Sequence, residues 1–400
     1  MSSIKLKHAS GNSMSIAAPA TNPASDLSLK LPATIGSAGQ VLKNSDTAGT
    51  LEFGAETRSG RNLLVNGSML VSQRGVTGHT SDGYSLDMMY RQQSSDGAFT
   101  VSQSNTSPNG FAKSLKVDVT TADTSLASAQ YAQIKTKIEA QDLQILAYGT
   151  SAAKTITVSF YVRSNKTGDY GFSVNQSDNS FKQVSFQYAI SSADTWERKS
   201  FTITGDTSGV INNDTGDGFI ISWGLAAGTD RTSGSVRSTW TAHASADQYA
   251  GQGVNLLDST SNEWYLTGVQ VEVSDYVTDF EHLSFTDELA RCKRYFQRYP
   301  QGGDGYSAIA NGYCNQTGKM QSGFTFPNMK AAPSVTYSGA MRVLHEATAS
   351  AVGSSDIANG SENSVLLRIN STGTGFTVGN GGTLTQENDT DAGITLSADL

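Results

Sequence analysis

Trp240 and Tyr249, with His243, Asp247 and Gln248 in the same run 239–253, are the side chains best suited to a recognisable chemistry. Aromatic faces stack on pyranose rings, and amide or carboxyl groups beside them bond the hydroxyls. Trp240, Tyr249, Asp247 and Gln248 are therefore candidate sugar contacts. Burial under a long loop is the competing reading of Trp240. Trp196, Trp223 and Trp264 accompany strand patterns, and core packing explains them more simply. Asp206, Asp214 and Asp217 share a polar loop whose oxygens could take Ca²⁺, but their spacing matches no EF-hand and an acidic turn accounts for them.

Reactive groupings are otherwise missing from the sequence. His8, His79, His243, His282 and His345 stand apart, with no H-E-x-x-H pattern. Gly205-Asp206-Thr207-Ser208-Gly209 lacks the central serine of a nucleophile elbow, and Gly373-Thr374-Gly375 has no alternating βα units around it. A glycosidase needs two carboxylates set across one sugar bond, and linear spacing pairs none here. Cys292 and Cys314 are too few for a disulfide framework, and Cys292 falls on the apolar face of a helix pattern, as a core thiol does. These observations predict a non-enzymatic chain with no cofactor and no metal site.

Positioning such side chains falls to strands. Charged residues make up 16% of the 400, below the ~25% of an average globular chain, while glycine numbers 40. The net charge of −8 and the lack of a basic run speak against a nucleic-acid surface. The sequence also holds no apolar stretch of about 20 residues for membrane insertion. From 62 to 280, strand patterns recur at 63–71, 98–103, 114–119, 128–138, 154–163, 169–175, 182–189, 197–204, 218–224 and 264–273. Ile156, Val158, Phe160 and Val162 alternate cleanly, whereas 133–146 settles on neither period. In the closing strand, Trp264 and Leu266 take the opposite parity from Val269 and Val271, and a bulge at Gly268 would switch the buried face.

A helix is expected next, capped by Thr286, with Asp287 and Glu288 in its first turn. Leu289, Cys292, Phe296 and Tyr299 form its apolar face as far as Pro300. Further strands follow at 305–313, 320–326, 334–338, 364–370, 374–378 and 393–398, with 353–360 and 379–382 as loops. The expected fold is mainly β: a jelly-roll-like sandwich over 61–283, a linking helix over 284–303 and a smaller β domain over 304–400. Residues 1–60 carry short apolar scraps, with Ile4, Leu6, Ile16, Leu27, Leu29 and Leu31 as candidate attachment or oligomerisation residues. Such strands bury too little to fold alone, and pairing with other copies or a docking partner would order them.

Three sets of motifs resemble the tail-fibre and virion-appendage proteins of marine bacteriophages. The leader motifs are Ser3-Ile4-Lys5-Leu6-Lys7-His8, Leu29-Lys30-Leu31-Pro32-Ala33-Thr34 and Gly36-Ser37-Ala38-Gly39-Gln40-Val41-Leu42-Lys43. Within the sandwich, Asn62-Leu63-Leu64-Val65-Asn66-Gly67, Ile138-Glu139-Ala140-Gln141-Asp142-Leu143, Val158-Ser159-Phe160-Tyr161-Val162-Arg163-Ser164 and Val269-Gln270-Val271-Glu272 are similar to a phage domain of carbohydrate-binding-module type. Beyond it, Ala290-Arg291-Cys292-Lys293-Arg294-Tyr295-Phe296 and Phe326-Pro327-Asn328-Met329-Lys330-Ala331-Ala332-Pro333-Ser334-Val335 resemble the module that follows that sandwich. The resemblance implies a virion protein, a homotrimer joined to other virion proteins through its leader and binding a host-surface glycan. It leaves open a capsid-surface fibre or decoration without receptor binding, and a polysaccharide depolymerase. The leader departs from the long adaptor-binding domain of T7-type tail fibres, so tail and capsid positions both stay open.

Overall fold

The computed structural model describes residues 3–7, 13–17, 29–36, 40–45, 47, 49–55 and, from 60 to 400, all but 77, 179–180, 301, 346–347 and 373–375. The chain divides into two compact units, residues 1–59 and 60–400.

In the first unit, strand Ser3–Lys7 pairs antiparallel with Ser13–Ala17, and Gln40–Asn44 with Leu51–Ala55. These are separate two-stranded sheets, a size marginal in water without a further layer. Leu29 and Leu31 are exposed, as are Ile35, Val41 and Leu42. Leu27 lies outside the described residues, as do the side chains of Ile4, Leu6 and Ile16.

The second unit opens with two antiparallel sheets packed face to face. One has five strands, in the order Glu197–Ile203, Ile156–Ser164, Glu263–Glu272, Ser114–Thr121, Ala98–Ser104. The other has six: Gln183–Ile190, Gly168–Gln176, Asp217–Ala227, Tyr131–Glu139, Met89–Ser94, Gly83–Tyr84. Their inner faces make one core in which Phe160 meets Trp223 edge-on at 5.6 Å and Phe172 at 5.4 Å. The segment 133–146 resolves into the end of a strand at Glu139 followed by a 3₁₀ turn over Ala140–Leu146.

Gly268 adopts φ +61 and sits in a bulge, where the register slips between Ser159 and Tyr161 of the neighbouring strand. Trp264 and Leu266 are buried before the bulge, Val269 and Val271 after it, so the expected change of face takes place. A Cβ at Gly268 would strike the rings of Phe111 and Tyr161.

The expected strand at 63–71 is instead a set of turns. Asn66 and Met69 are left-handed, and the Asn66 amide bonds Val71 N, Val71 O and Asp87 O, taking the backbone partners a ladder would have used. The helix is shorter than its pattern. It spans Phe285–Cys292 and is capped by Ser284, whose Oγ accepts from Asp287 N at 3.1 Å, so Thr286 lies inside it. Phe296–Tyr299 leaves the helical path as a strand, because its backbone finds a ladder with Gly393–Ser397.

Six strands then close a barrel: Ala308–Gln316, Lys319–Thr325, Ser364–Ser371, Thr348–Gly360, Met341–His345 and Gly381–Gln386. The loops expected at 353–360 and 379–382 are largely strands of this barrel. Closure gives each a partner on both sides, which outweighs their low strand propensity. Segment 374–378, expected as a strand, carries no strand among its described residues. The Gly393–Ser397 strand lies between Phe296–Tyr299 and Ser334–Ser338, with Ile394 and Leu396 fully buried. Cys292 and Cys314 are both buried. Among the described residues no helix is long and apolar enough to cross a membrane.

Candidate functional site

The segment from 229 to 253 is a strap across the outer face of the six-stranded sheet. Its middle runs along the edge strand, where Gln183 and Thr241 exchange backbone bonds at 2.8 and 3.0 Å and Arg237 O accepts from Ser185 N at 2.8 Å. Tyr249 then lies on Gly171 so closely that a Cβ there would overlap the tyrosine. Its hydroxyl donates to Gln133, and its relative exposure is 0%. Gln248 binds Arg231 and Gln133, also out of solvent.

Asp247 is buried too. It accepts from Ser235 N at 2.7 Å and Arg237 Nε at 2.8 Å, and these bonds hold its carboxyl below the usual range. Trp240 packs on the sandwich core: it stacks on Phe219 at 5.7 Å, meets Tyr148 edge-on at 5.9 Å and donates Nε1–H to Thr204 O at 3.0 Å. The four candidate sugar contacts are thus structural parts of the strap, and Tyr249 has no free face to offer a ring. His243 joins them through Gln183 Oε1 at 2.8 Å.

Trp196 was expected in the core and is not there. It is half-buried at the start of the edge strand of the five-stranded sheet, on the outer face, with Tyr265 at 6.2 Å. Cross-strand register sets Arg163, Tyr265 and Lys116 side by side on that face, and Tyr161 and Arg198 on the next row. Arg163 lies over the Tyr265 ring at 5.1 Å and grips Asp194 through Nη2–H to Oδ1 at 2.8 Å. Lys116 reaches Glu263 at 2.6 Å and Asp118 at 3.3 Å. Tyr265 donates its hydroxyl to Glu263 at 2.6 Å. Phe111, Phe280 and the exposed His282 continue the strip past Tyr161, with centroids about 5 Å apart.

The result is a row of aromatic rings, partly exposed except for the buried Tyr265, interleaved with guanidinium, ammonium and carboxylate groups. Such a surface can stack a sugar ring and bond its hydroxyls. It is poorly suited to proton donation. Burial raises the Glu263 carboxyl, but the bonds from Lys116 and Tyr265 outweigh it and hold the group below its usual range, so it stays ionised. Burial raises the carboxyls of Asp87, beside the helix, and Glu288, within it, above their usual range. The three aspartates of the polar loop go to separate partners: Asp206 to Lys182, Asp214 to Gly216 N and Asp217 to Lys137. Among the described residues no cluster of His, Cys, Asp and Glu could hold a metal ion. Period-2 parity places Tyr265 opposite Trp264 and so on the outer face, but nothing local to Trp196 marks it as exposed.

No family model matches the chain, and no curated protein does. Among solved structures it is similar to the enzymatically active domain of tailspike protein 4 of bacteriophage CBA120, at 12% identity and TM-score 0.31, covering 56% of this chain and 23% of that one. It is also similar to the family 11 carbohydrate-binding module of Clostridium thermocellum in complex with a β-1,3-1,4-mixed-linked tetrasaccharide, at 8% identity and TM-score 0.26, covering 52% of this chain and 99% of that one. A third is the xylan-binding domain CBM22-1 of Paenibacillus barcinonensis, at 10% identity and TM-score 0.28, covering 56% and 100%. The chain thus spans about a quarter of the tailspike chain, and its own fold is defined by the strand order and register given above.

Proposed function

We propose that this protein is a non-enzymatic structural component of a bacteriophage particle, a fibre or tail appendage that contributes to recognition of a host-surface glycan. The observation that carries the glycan reading is Trp196, an indole left partly exposed beside Tyr265, Arg163 and Lys116 on a sheet face that the strap leaves open. The phage reading rests on the sequence motifs of leader, sandwich and following module. The leader suits attachment to other virion proteins or to further copies in a trimer: its described hairpins are separate two-stranded sheets, and Leu29 and Leu31 are exposed at 64% and 73%. Linked copies raise avidity, so weak individual contacts suffice.

The test is retention of the purified chain on host-envelope polysaccharide, with product release assayed in parallel. Retention that Trp196→Ala abolishes, with no oligosaccharide released, is the expected result. Release of oligosaccharide favours a depolymerase, and failure to adsorb, with normal infection by particles lacking the protein, favours a capsid decoration.

A further inference from the structure

The outer wall of the C-terminal barrel carries a second aromatic and polar strip, centred on Tyr313. Its ring is 55% exposed, although the barrel closes on a full apolar interior without it. In register, Gly381 is its neighbour on one side and Gln321 on the other, with Arg368 beyond Gln321. The Tyr313 hydroxyl lies 3.3 Å from Gln321 Oε1, which sets the ring and leaves the amide N–H groups of Gln321 for a ligand. Arg368 is exposed, and on its far side the register partner is Asp356 of the next strand. On the next row Thr383 donates to Asn311 Oδ1 at 2.8 Å, adding further polar groups.

Gly381 makes this more than an exposed ring. A Cβ there would meet nothing closer than Gly312 O, at 3.9 Å, so packing does not require glycine at this position. The missing side chain leaves bare backbone beside the tyrosine. Adjacent strands lie ~4.8 Å apart, so Tyr313 to Arg368 spans about 10 Å, enough for two pyranose rings end to end.

We propose that Tyr313, Gln321 and Arg368, with the open floor at Gly381, form a second carbohydrate subsite that takes at least a disaccharide of a surface polysaccharide. This rests on the glycan reading given above, and it predicts that a single chain holds one polymer at two places. Two sites on one chain bind a polymer more tightly than either alone.

The experiment measures retention of the full chain on immobilised dextran, mannan and polygalacturonate. Four proteins are compared: wild type, Tyr313→Ala, Gly381→Val and Trp196→Ala. Folding is checked by circular dichroism, and Gly381→Val supplies a variant that leaves every native side chain in place. Tyr313→Ala and Gly381→Val should each weaken retention about tenfold, through loss of the stacking face and filling of the floor. Trp196→Ala should weaken it independently. If Tyr313→Ala and Gly381→Val bind like wild type while Trp196→Ala is lost, the barrel subsite is refuted and the sandwich reading stands. If Trp196→Ala is neutral and the barrel variants fail, the sandwich face is refuted and the barrel subsite stands. No retention of wild type on any of the three polymers overturns both.

Discussion

Arg294 grips Glu139 with both arms of its guanidinium, Nη2–H to Oε1 at 2.6 Å and Nε–H to Oε2 at 2.8 Å, and Glu139 has no solvent exposure. Tyr295 donates a third bond to the same carboxylate, at 2.9 Å. Glu139 ends a sandwich strand, whereas Arg294 and Tyr295 lead into the strand beside Gly393–Ser397. Arg294→Ala would strand a buried carboxylate and should cost about 3 kcal/mol, read as a lower urea midpoint. The pair Glu139→Leu with Arg294→Met should recover most of that loss. A single variant as stable as wild type would show that the grip contributes nothing.

At the start of the helix, two hydroxyls two residues apart have different jobs. Ser284→Ala removes the acceptor for Asp287 N and should lower stability by about 1 kcal/mol. Thr286→Ala should change it by less than about 0.5 kcal/mol. Thermal melts of the two variants decide, and the reverse order would place the cap at Thr286.

Trp196 and Trp240 should separate function from stability. Trp240→Ala uncovers Phe219 and Tyr148 and should cost about 2 kcal/mol or more in denaturant titration. Trp196→Ala should leave the midpoint within about 0.5 kcal/mol and act on glycan retention alone.

Asp206 sets an acid limit. Burial raises its carboxyl, but Lys182, Ser208 and Gln176 donate to it and the balance holds it at about 2, against an ordinary 3.8. A pKa lowered by folding stabilises above the unfolded value, and that contribution fades as pH falls from 3.8 through about 2. Asp206→Asn should therefore melt below wild type near pH 6, and the gap should close on approaching pH 2. A gap independent of pH would mean the charge is not what matters there.

Strands that alternate cleanly were legible in the sequence: Ile156, Val158, Phe160 and Val162 are all fully buried, and Gly268 marks the change of face. The barrel strand Thr348–Gly360 was not, since its Gly, Ser and Asn residues resemble a loop until partners on both sides hold them. Phe296 and Tyr299 continue the helix's apolar spacing, yet a ladder formed almost a hundred residues later in the chain claims them. The two tryptophans were exchanged for a similar reason. Both are partly buried, but Trp240 packs on Tyr148, which comes from a turn, and on Phe219 of a strand, while Trp196 lies on the outer face of an edge strand.

The grip on Glu139 has company. Val65, Val71, Met88, Cys292 and Tyr295 form a small apolar cluster of their own, Lys330 reaches Thr215 O at 3.1 Å, and Leu400 O accepts from Tyr84 and Lys137 at 2.6 and 2.7 Å. Interiors packed this way have low compressibility and pass strain along. Opening a gap between the sandwich and these residues would therefore uncover the Glu139 carboxylate and this apolar cluster together.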